Sequence, residues 1–183
     1  EWINNFNTKK NIIFWDIGAN IGVYSIYASF IHKKKIKVFA FEPSSSNLRV
    51  LSRNIFLNNM VNKISINTLP LTDKKNKFLE MKELKFEEGL SLNSFGEQYN
   101  FEGRKFNVGN SYKILGTTID FLVEKEIMKI PDYIKIDVDG IEHLILEGGK
   151  KTLKSKKIKS ILVEVNEKFK EQKKRVNSIM VTS

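Results

Sequence analysis

The sequence predicts an α/β fold with a mostly parallel, doubly wound sheet. Residues 12–15 and 37–41 are short, mostly apolar runs closed by Asp16 and Glu42, and such runs are typical of strands buried on both faces. A turn with Gly18 and Gly22 follows the first run. Beyond this turn, apolar residues recur at the spacing of an amphipathic helix, namely Val23, Ile26, Tyr27, Phe30 and Ile31. This order indicates a nucleotide-binding βαβ unit, whose ligand lies beyond the carboxyl ends of the strands.

The spacing of the glycine turn favours one class of cofactor. A dinucleotide site uses G-x-G-x-x-G to place bare amides around a pyrophosphate, whereas Ala19, Asn20 and Ile21 separate the two glycines here. Asp16, which precedes Gly18 by two residues, would repel a pyrophosphate but suits the amino group of an amino-acid moiety. The pattern D-x-G-A-N-x-G therefore favours S-adenosylmethionine over NAD. The structural alternative is a tight strand-to-helix turn without a ligand.

A second acid supports a cofactor site. Glu42, followed by Pro43, closes the second predicted strand and is placed to bind a ribose diol through two hydrogen bonds. With Asp16 it would hold opposite ends of one methyl donor. Asp73 follows the third predicted strand and is a candidate for the adenine amine, although a plain turn acid is the alternative interpretation.

The remaining elements follow from caps and periodicity. Ser44 to Ser46 offer N-cap hydroxyls for a helix to about Leu57, and residues 63–71 contain a third strand. Thr117 and Asp120 have capping-box spacing for a helix that continues to about Met128. The other predicted elements are a fourth strand at 133–138, a helix at 141–146, a fifth strand at 158–165 and a basic helix within 167–180.

With these residues in view, the chain resembles the FkbM family of S-adenosylmethionine-dependent methyltransferases. The resemblance lies in residues 14–25, 39–59, 117–122, 133–153 and 161–167, and the run K-I-D-V-D-G-I-E is its most distinctive part. It implies a Rossmann-like class I methyltransferase fold and methyl transfer, usually to an oxygen of a small molecule or glycan. It also implies a C-terminal antiparallel hairpin. That hairpin is missing from this sequence, so we expect a truncated C-terminal end or a trimmed fold.

Ionisable residues crowd the end of the fourth predicted strand. Asp137, Asp139, Glu142 and His143 lie within one short stretch, a density that is hard to justify in a core. Methyl transfer to oxygen needs an aligned acceptor and usually a base for its proton. Asp137 or His143 is predicted as that base, with Glu142 as a further catalytic candidate. The alternatives are that His143 faces solvent and that Asp139 only makes a turn and caps the next helix.

A second mechanism would use a metal ion. Glu164 and Asn166 follow the fifth predicted strand and could join Asp137 as oxygen ligands of Mg²⁺, which would lower the pKa of the acceptor. The spacing permits this site without demanding it. Both mechanisms therefore stay open at the level of sequence.

The length of the chain predicts a single domain with a short lead-in and one insertion. We expect one domain over residues 1–183, with 1–10 as a lead-in that packs Trp2, Ile3 and Phe6 on the sheet edge. Residues 76–116 lack strong periodicity and are predicted to be an acceptor-binding insertion with irregular strands and loops. Its polar candidates for meeting an acceptor are Ser91, Asn93, Tyr99, Arg104 and Tyr112.

The net charge of +10 comes mostly from scattered lysines, which disfavours a nucleic-acid partner and leaves a small-molecule or glycan acceptor. No apolar run has the length of a membrane span, and without a signal region a cytoplasmic location is expected. The absence of cysteine excludes disulfides and thiolate metal sites. Competing functions are a non-catalytic cofactor-binding scaffold and, against the glycine spacing, a nucleotide-cofactor oxidoreductase. The oligomeric state cannot be read from the sequence.

Overall fold

The computed structural model describes residues 1–91, 93–99, 102–105 and 108–182. Numbered along the chain, the strands are β1 (Ile12–Ile17), β2 (Ile36–Phe41), β3 (Ile64–Asn67), β4 (Lys77–Glu83), β5 (Ser94–Phe95), β6 (Asn110–Gly116), β7 (Tyr133–Ile136) and β8 (Ser160–Val163). The helices are α1 (Val23–His32), α2 (Ser45–Leu57), α3 (Ile119–Glu124), α4 (Glu142–Glu147) and α5 (Lys170–Thr182). Five strands form a parallel sheet with the order β3-β2-β1-β7-β8, which confirms the predicted parallel architecture.

Helices cover both faces of the parallel sheet, which is why its strands are apolar on both sides. Trp15 and Ile17 of β1 belong to the core cluster shared with α3, α4 and α5. Phe14 of β1 and Val38 of β2 belong to the opposite cluster, beneath α1 and α2. This alternation within one strand is the pattern expected of a strand in the middle of a doubly wound sheet.

The apolar residues of the predicted amphipathic helix α1 are divided between its faces. Val23 and Phe30 are 63% and 66% exposed, whereas Ile26 packs against the core beneath the helix. The fully buried positions of α1 carry Ser25, Ala28 and Ser29. The hydroxyl of Ser25 donates to a carboxylate oxygen of Asp16 at 2.6 Å, which joins this face of the helix to β1.

Residues 77–116 contain a second, antiparallel sheet with the order β5-β4-β6, where the sequence suggested only irregular strands and loops. Met81 of β4 lies opposite Tyr112 of β6, and Met81 and Phe95 extend the core on the α3 side of the parallel sheet. The small sheet therefore packs on the main body of the protein.

The cap of α3 and the length of the helix also differ from the prediction. Thr118, rather than Thr117, caps α3 by accepting from the amide of Phe121, and the helix ends at Glu124 instead of Met128. The backbone of Glu126 has a φ of 55°, which is incompatible with a continued helix. Asp120 accepts from the amides of Lys151 and Thr152 and so serves as a structural acid.

The two ends of the chain pack on the same body. Phe6 of the lead-in stacks on Tyr133 with ring centroids 3.8 Å apart, and the indole of Trp2 donates to the hydroxyl of Ser160 at 3.0 Å. The lead-in thus covers the amino ends of β7 and β8. At the other end, Val176 of α5 is buried in the core beside α4. None of the helices in the described part of the chain has the length and apolarity needed to cross a membrane.

Candidate functional site

A cleft opens beyond the carboxyl ends of β1, β2 and β7 and contains about 740 Å³ of empty space, including its open mouth. Open parallel sheets bind ligands at this edge. Its polar and charged lining comes from the loops after these strands, from the first turn of α2 and from the insertion: Asn20, Glu42, Asn47, Ser91, Asn93, Ser94, Asp137 and Asp139. The apolar lining includes Phe41, Leu71, Met81, Phe95 and Ile141.

The glycine turn forms one wall of the cleft and packs directly on the loop after β7. Gly18 has a φ of 79°, and a Cβ at this position would lie 1.7 Å from the carbonyl oxygen of Asp137. The amides of Gly18 and Ala19 both donate to the carbonyl of Phe41, at 3.0 and 2.9 Å. At the end of the turn, Gly22 has a φ of 92° and begins α1. These glycines permit close backbone packing, and the first amides of the turn are already engaged by the protein.

Glu42 is held rigidly at the mouth of the turn. One carboxylate oxygen accepts from the amide of Asn20 at 2.7 Å, and the other accepts from the amide of Ser44 at 2.9 Å. Burial raises the pKa of Glu42 to about 7, although the two amide hydrogen bonds oppose the shift. The side chain of Asn47 is a third hydrogen-bond partner of this carboxylate, and Pro43 continues the cleft wall beside it.

Two buried polar atoms in the cleft have no hydrogen-bond partner in the described part of the chain. They are the amide oxygen of Asn20 and the hydroxyl of Ser94. Buried polar groups are rarely left without a partner, so these atoms are suited to bind a polar ligand. The residues present therefore fit a small polar molecule bound against the glycine turn.

The structure does not bring the other two predicted cofactor acids into the cleft. Asp16 is fully buried, where it accepts from Ser25 and lies 3.7 Å from the ammonium of Lys135. Burial raises the pKa of Asp16, against the effects of Lys135 and Ser25. Asp73 is exposed and accepts from the hydroxyl of Thr72. Direct contact of either acid with a cofactor remains a prediction.

Lys135 is a site residue that the sequence reasoning missed. Its ammonium lies 2.8 Å from a carboxylate oxygen of Asp137 and 4.5 Å from the ring centroid of Tyr24, in addition to its contact with Asp16. Burial disfavours the charged form, but the two carboxylates outweigh it and raise the pKa of Lys135. A lysine inside an otherwise apolar central strand was the available signal, because buried lysines need anionic partners.

Asp137 lines the cleft, and its carboxyl group lies within hydrogen-bonding reach of the carboxyl group of Glu164. Burial tends to raise the pKa of Asp137, but Glu164 and Lys135 outweigh it and lower that pKa. The hydrogen bond and the negative charge of Asp137 raise the pKa of Glu164 to about 7. Asp137 is therefore the member of the pair that carries the negative charge.

This arrangement does not fit the predicted Mg²⁺ site. The cation beside Asp137 is the ammonium of Lys135, Glu164 is engaged with Asp137, and the side-chain oxygen of Asn166 accepts from the amide of Lys168 at 2.9 Å. Within the described ranges, no group of three or more His, Cys, Asp or Glu side chains could hold a metal ion.

Glu142 and His143 lie behind the cleft. Glu142 is buried, accepts from the amides of Val138 and Gly140 and from the side chain of Gln172, and so holds the loop after β7 in place. Burial raises the pKa of Glu142 to about 7. His143 is also buried, contrary to the expectation that it might face solvent, and burial lowers its pKa. Neither side chain lines the cleft.

The insertion contributes both lining and support. Ser91 and Asn93 line the cleft, whereas Tyr99 and Arg104 do not. The hydroxyl of Tyr112 instead donates to the carbonyl of Pro43 at 2.9 Å. Glu83, which the sequence reasoning also missed, is fully buried and accepts from the side chains of Ser44 and Asn110, at 2.7 and 2.9 Å. Glu83 and Tyr112 therefore fasten the insertion to the loop that carries Glu42.

Comparisons with known proteins agree with this architecture. The family described as the methyltransferase FkbM domain matches residues 16–181. Methyltransferase sdnD of Sordaria araneosa is 29% identical over 167 residues, which cover 78% of this chain and 62% of that protein. Hexuronic acid methyltransferase AglP of Haloferax volcanii is 26% identical over 166 residues, which cover 86% of this chain and 57% of that protein. The chain thus spans about three fifths of the length of these curated relatives.

A solved structure supports the fold. The methyltransferase FkbM from Methylobacillus flagellatus KT superimposes with a TM-score of 0.61 at 19% identity, covering 93% of this chain and 37% of that protein. At this identity the likeness concerns the fold, which is the Rossmann-like class I methyltransferase fold. Since the family match extends over nearly the whole sequence, the chain belongs to the FkbM methyltransferase domain family.

Proposed function

We propose that the cleft binds S-adenosylmethionine and that the chain transfers the methyl group to a hydroxyl oxygen of a sugar or another small acceptor. The observation that carries the proposal is the position of Glu42, whose carboxylate is fixed by two amides at the cleft edge beside the glycine turn. Membership of the FkbM family supports the same assignment. A cytoplasmic location is part of the proposal, since this donor is a cytoplasmic metabolite.

The lining supports a division of roles in holding the donor. The Glu42 carboxylate is suited to accept hydrogen bonds from the ribose hydroxyls, because it lines the cleft and the amides of Asn20 and Ser44 orient its two oxygens. The amide oxygen of Asn20 is a further acceptor for a polar group. Apolar side chains such as Phe41 and Leu71 offer a surface for a planar base.

The hydrogen bonds already made by the amides of the glycine turn favour S-adenosylmethionine over a dinucleotide. A pyrophosphate needs unoccupied amides at the start of a helix. The amides of Gly18 and Ala19 are instead bonded to Phe41, and the amide of Asn20 is bonded to Glu42. The carboxylate of Glu42 also lies beside this turn, where it would repel a phosphate. The oxidoreductase alternative therefore has no support from this turn.

The chemistry requires a proton acceptor near the acceptor hydroxyl. S-adenosylmethionine, when bound, supplies an electrophilic methyl group on a sulfonium. Asp137 is the residue we assign as general base, because it lines the cleft and Lys135 keeps it ionised. Its hydrogen bond to Glu164 orients the carboxylate, and the buried Glu142 holds the loop behind it. General-base assistance of this kind contributes roughly 10²- to 10⁴-fold in rate.

The acceptor is assigned to the side of the cleft built by the insertion. Ser91 and Asn93 offer hydrogen bonds there, and Met81 and Phe95 offer an apolar floor. A sugar acceptor is supported by the relative from Haloferax volcanii, which is named for hexuronic acid methylation. Sugars present both hydroxyls and apolar ring faces, which suits this mixture of side chains.

Calorimetric titration with S-adenosylhomocysteine tests the donor assignment. We expect saturable binding by the wild-type chain and a loss of at least about tenfold in affinity for Glu42→Gln. Glu124→Gln is the matched control, because Glu124 is an exposed acid on α3, away from the cleft. No binding by the wild-type chain, or equal binding by Glu42→Gln, would reject the assignment. Incubation with labelled donor and candidate sugars then tests the acceptor class.

A further inference from the structure

The two helices on one side of the parallel sheet, α1 and α2, expose large apolar side chains to solvent. Both helices pack on the same core cluster, through Ala28 of α1 and Leu51 of α2, so their opposite sides form one outer surface of the molecule. The exposed apolar side chains of this surface include Val23, Phe30 and Ile31 in α1, Phe56 and Leu57 in α2, and Val61 just after α2. We call this surface the α1–α2 face.

The chain segment that builds this face is basic. Residues 17–72 contain seven Lys or Arg but a single acid, Glu42, which is buried in the cleft wall. Lys33–Lys35 follow α1 directly and are exposed, and Arg49 and Arg53 are exposed on α2. The α1–α2 face therefore combines apolar side chains with positive charge.

Hydrogen bonds join the two helices and their loops into one surface. The side chain of Asn54 in α2 donates to the carbonyl of Ile21, just before α1, at 2.9 Å. At the other end, the ammonium of Lys37 donates to the carbonyl of Asn62 at 3.3 Å, which places the lysines after α1 beside the loop that carries Val61. The basic and apolar groups are therefore neighbours in space.

Two acids from other segments approach this face. Glu88 pairs with Arg49, and Glu1 lies with Val23 in a surface groove between the lead-in and α1. They offset part of the charge but leave the lysine cluster after α1 uncompensated by its own segment.

We propose that the α1–α2 face binds the surface of a membrane that contains anionic lipids. The exposed apolar side chains enter the headgroup region, and the basic side chains contact the lipid phosphates at the same depth. Lysine suits this position, because its apolar stem lies along the apolar surface while its ammonium reaches a phosphate. None of these side chains lines the cleft, so membrane binding does not depend on what the cleft holds.

Charge and shape disfavour two other occupants of the face. In a two-fold dimer the face would meet its own copy, and its basic residues would then repel one another. Aliphatic side chains such as Ile31 and Leu57 cannot stack with bases, which disfavours a single-stranded nucleic acid.

Sedimentation with lipid vesicles tests the proposal. Vesicles of phosphatidylcholine with about 30% phosphatidylglycerol should bind the wild-type chain at least about tenfold more strongly than vesicles of phosphatidylcholine alone. Raising the salt from about 0.1 M to about 0.5 M should weaken this binding several-fold, because screening acts on the basic residues.

Two sets of substitutions locate the contact. The double variant Phe30→Gln/Phe56→Gln removes apolar side chains and should weaken binding to the anionic vesicles at least about fivefold. The triple variant Lys33→Gln/Lys34→Gln/Lys35→Gln removes three charges and should weaken it at least about tenfold.

Matched controls lie on the α3 side of the molecule. They are Phe78→Gln in β4 and the triple variant Lys150→Gln/Lys154→Gln/Lys156→Gln, whose lysines flank the buried Leu153. Both controls should bind the vesicles as the wild type does. Circular dichroism and thermal unfolding should show that every variant folds, because each replaced side chain is exposed.

Each other outcome would overturn the proposal. These outcomes are no binding to the anionic vesicles, equal binding to the neutral ones, or undiminished binding by the two variants of the face. Self-association that Phe30→Gln/Phe56→Gln abolishes would instead assign the face to a second copy. Binding of polyuridylate without binding of vesicles would assign it to a nucleic acid. Titration with S-adenosylhomocysteine tests the proposed function separately, and its failure would leave the vesicle result unchanged.

Discussion

The two sheets of the molecule each bury a lysine, and the surroundings of these lysines differ. Lys135 of the parallel sheet lies between the carboxylates of Asp16 and Asp137. Lys82 of the antiparallel sheet donates to the carbonyl of Glu97 at 3.0 Å and lies 3.5 Å from the half-exposed Glu80. Lys135 thus contacts a residue of the cleft wall, Asp137. Lys82 contacts residues of the insertion, Glu80 and Glu97. Lys135 is therefore compensated by two carboxylates, whereas Lys82 has one carboxylate and one carbonyl as partners.

The two sheets also differ in how much of their strands is exposed to solvent. The central parallel strand β1 is buried on both faces, whereas β4 begins with exposed residues, including Phe78 at 70% exposure. The antiparallel sheet depends on its attachment to the larger body, through Glu83 with Ser44 and through Tyr112 with Pro43. The antiparallel sheet is therefore joined to the larger body both by these polar contacts and by the packing of Met81 and Phe95 in the shared core.

The largest expected effect comes from two glycines with nearly the same backbone conformation. Gly18 and Gly89 have φ values of 79° and 77°, but an added Cβ would lie 1.7 Å from the Asp137 carbonyl at Gly18 and 3.5 Å from Ile21 at Gly89. Gly89→Ala should cost only the backbone strain, about 1 to 2 kcal/mol. Gly18→Ala should cost at least about 3 kcal/mol more, or prevent folding. Urea unfolding measures both, and similar losses would show that the two turns are equally tolerant.

The next effect compares the buried lysines. Lys135→Met should reduce the free energy of unfolding by about 3 to 5 kcal/mol, because it leaves two acids without their cation. Lys82→Met should cost about 1 kcal/mol, the value of one hydrogen bond. Adding Asp16→Asn to Lys135→Met should restore part of the loss. Equal costs for the two lysines would contradict the distinction between the sheets.

A smaller effect concerns pH. In the protein without a ligand, the pKa of Glu42 is raised to about 7. Because ribose hydroxyls donate to the ionised carboxylate, binding of the ligand favours loss of the proton. The affinity for S-adenosylhomocysteine should therefore rise by up to about tenfold between about pH 6 and about pH 8. Calorimetry at both pH values measures this change, and Glu42→Gln should abolish it. An affinity that falls over this range would contradict the assigned role.

The smallest effect tests the attachment between the sheets. Tyr112→Phe removes the hydrogen bond to Pro43 and should cost about 1 kcal/mol in stability and a few-fold in affinity for S-adenosylhomocysteine. Tyr27→Phe removes a hydroxyl that donates to Asn4 at 2.8 Å, far along α1, and should leave the affinity unchanged. Thermal unfolding and calorimetry distinguish the two variants. An unchanged affinity for Tyr112→Phe would show that the two sides are independent.

The part of the cleft formed by the glycine turn and Glu42 could be predicted from the sequence because its signals are local. The apolar strand, the glycine turn and the acid after β2 lie within a short segment, and Ser44 caps α2 as predicted. The pairing of β4 with β6 could not be predicted in the same way, since it joins residues far apart along the chain. The interactions of Lys135 and Glu83 depend on tertiary contacts for the same reason.

Long-range contacts also decide which faces are buried in α1 and beside His143. The amphipathic spacing of α1 does not show that Ser25 lies on its buried face, where it donates to Asp16. The surface position suggested for His143 ignored α5, whose Gln172 contacts the neighbouring Glu142 from a distant part of the chain. Local patterns identify an element, whereas the face that it buries depends on its partners.

The most direct test of the central claim is a crystal structure of the chain with S-adenosylhomocysteine. The account predicts that both ribose hydroxyls lie about 2.6 to 3.0 Å from the carboxylate of Glu42, with the sulfur on the side of Asp137. A ligand bound outside this cleft, or a ribose that makes no contact with Glu42, would contradict it.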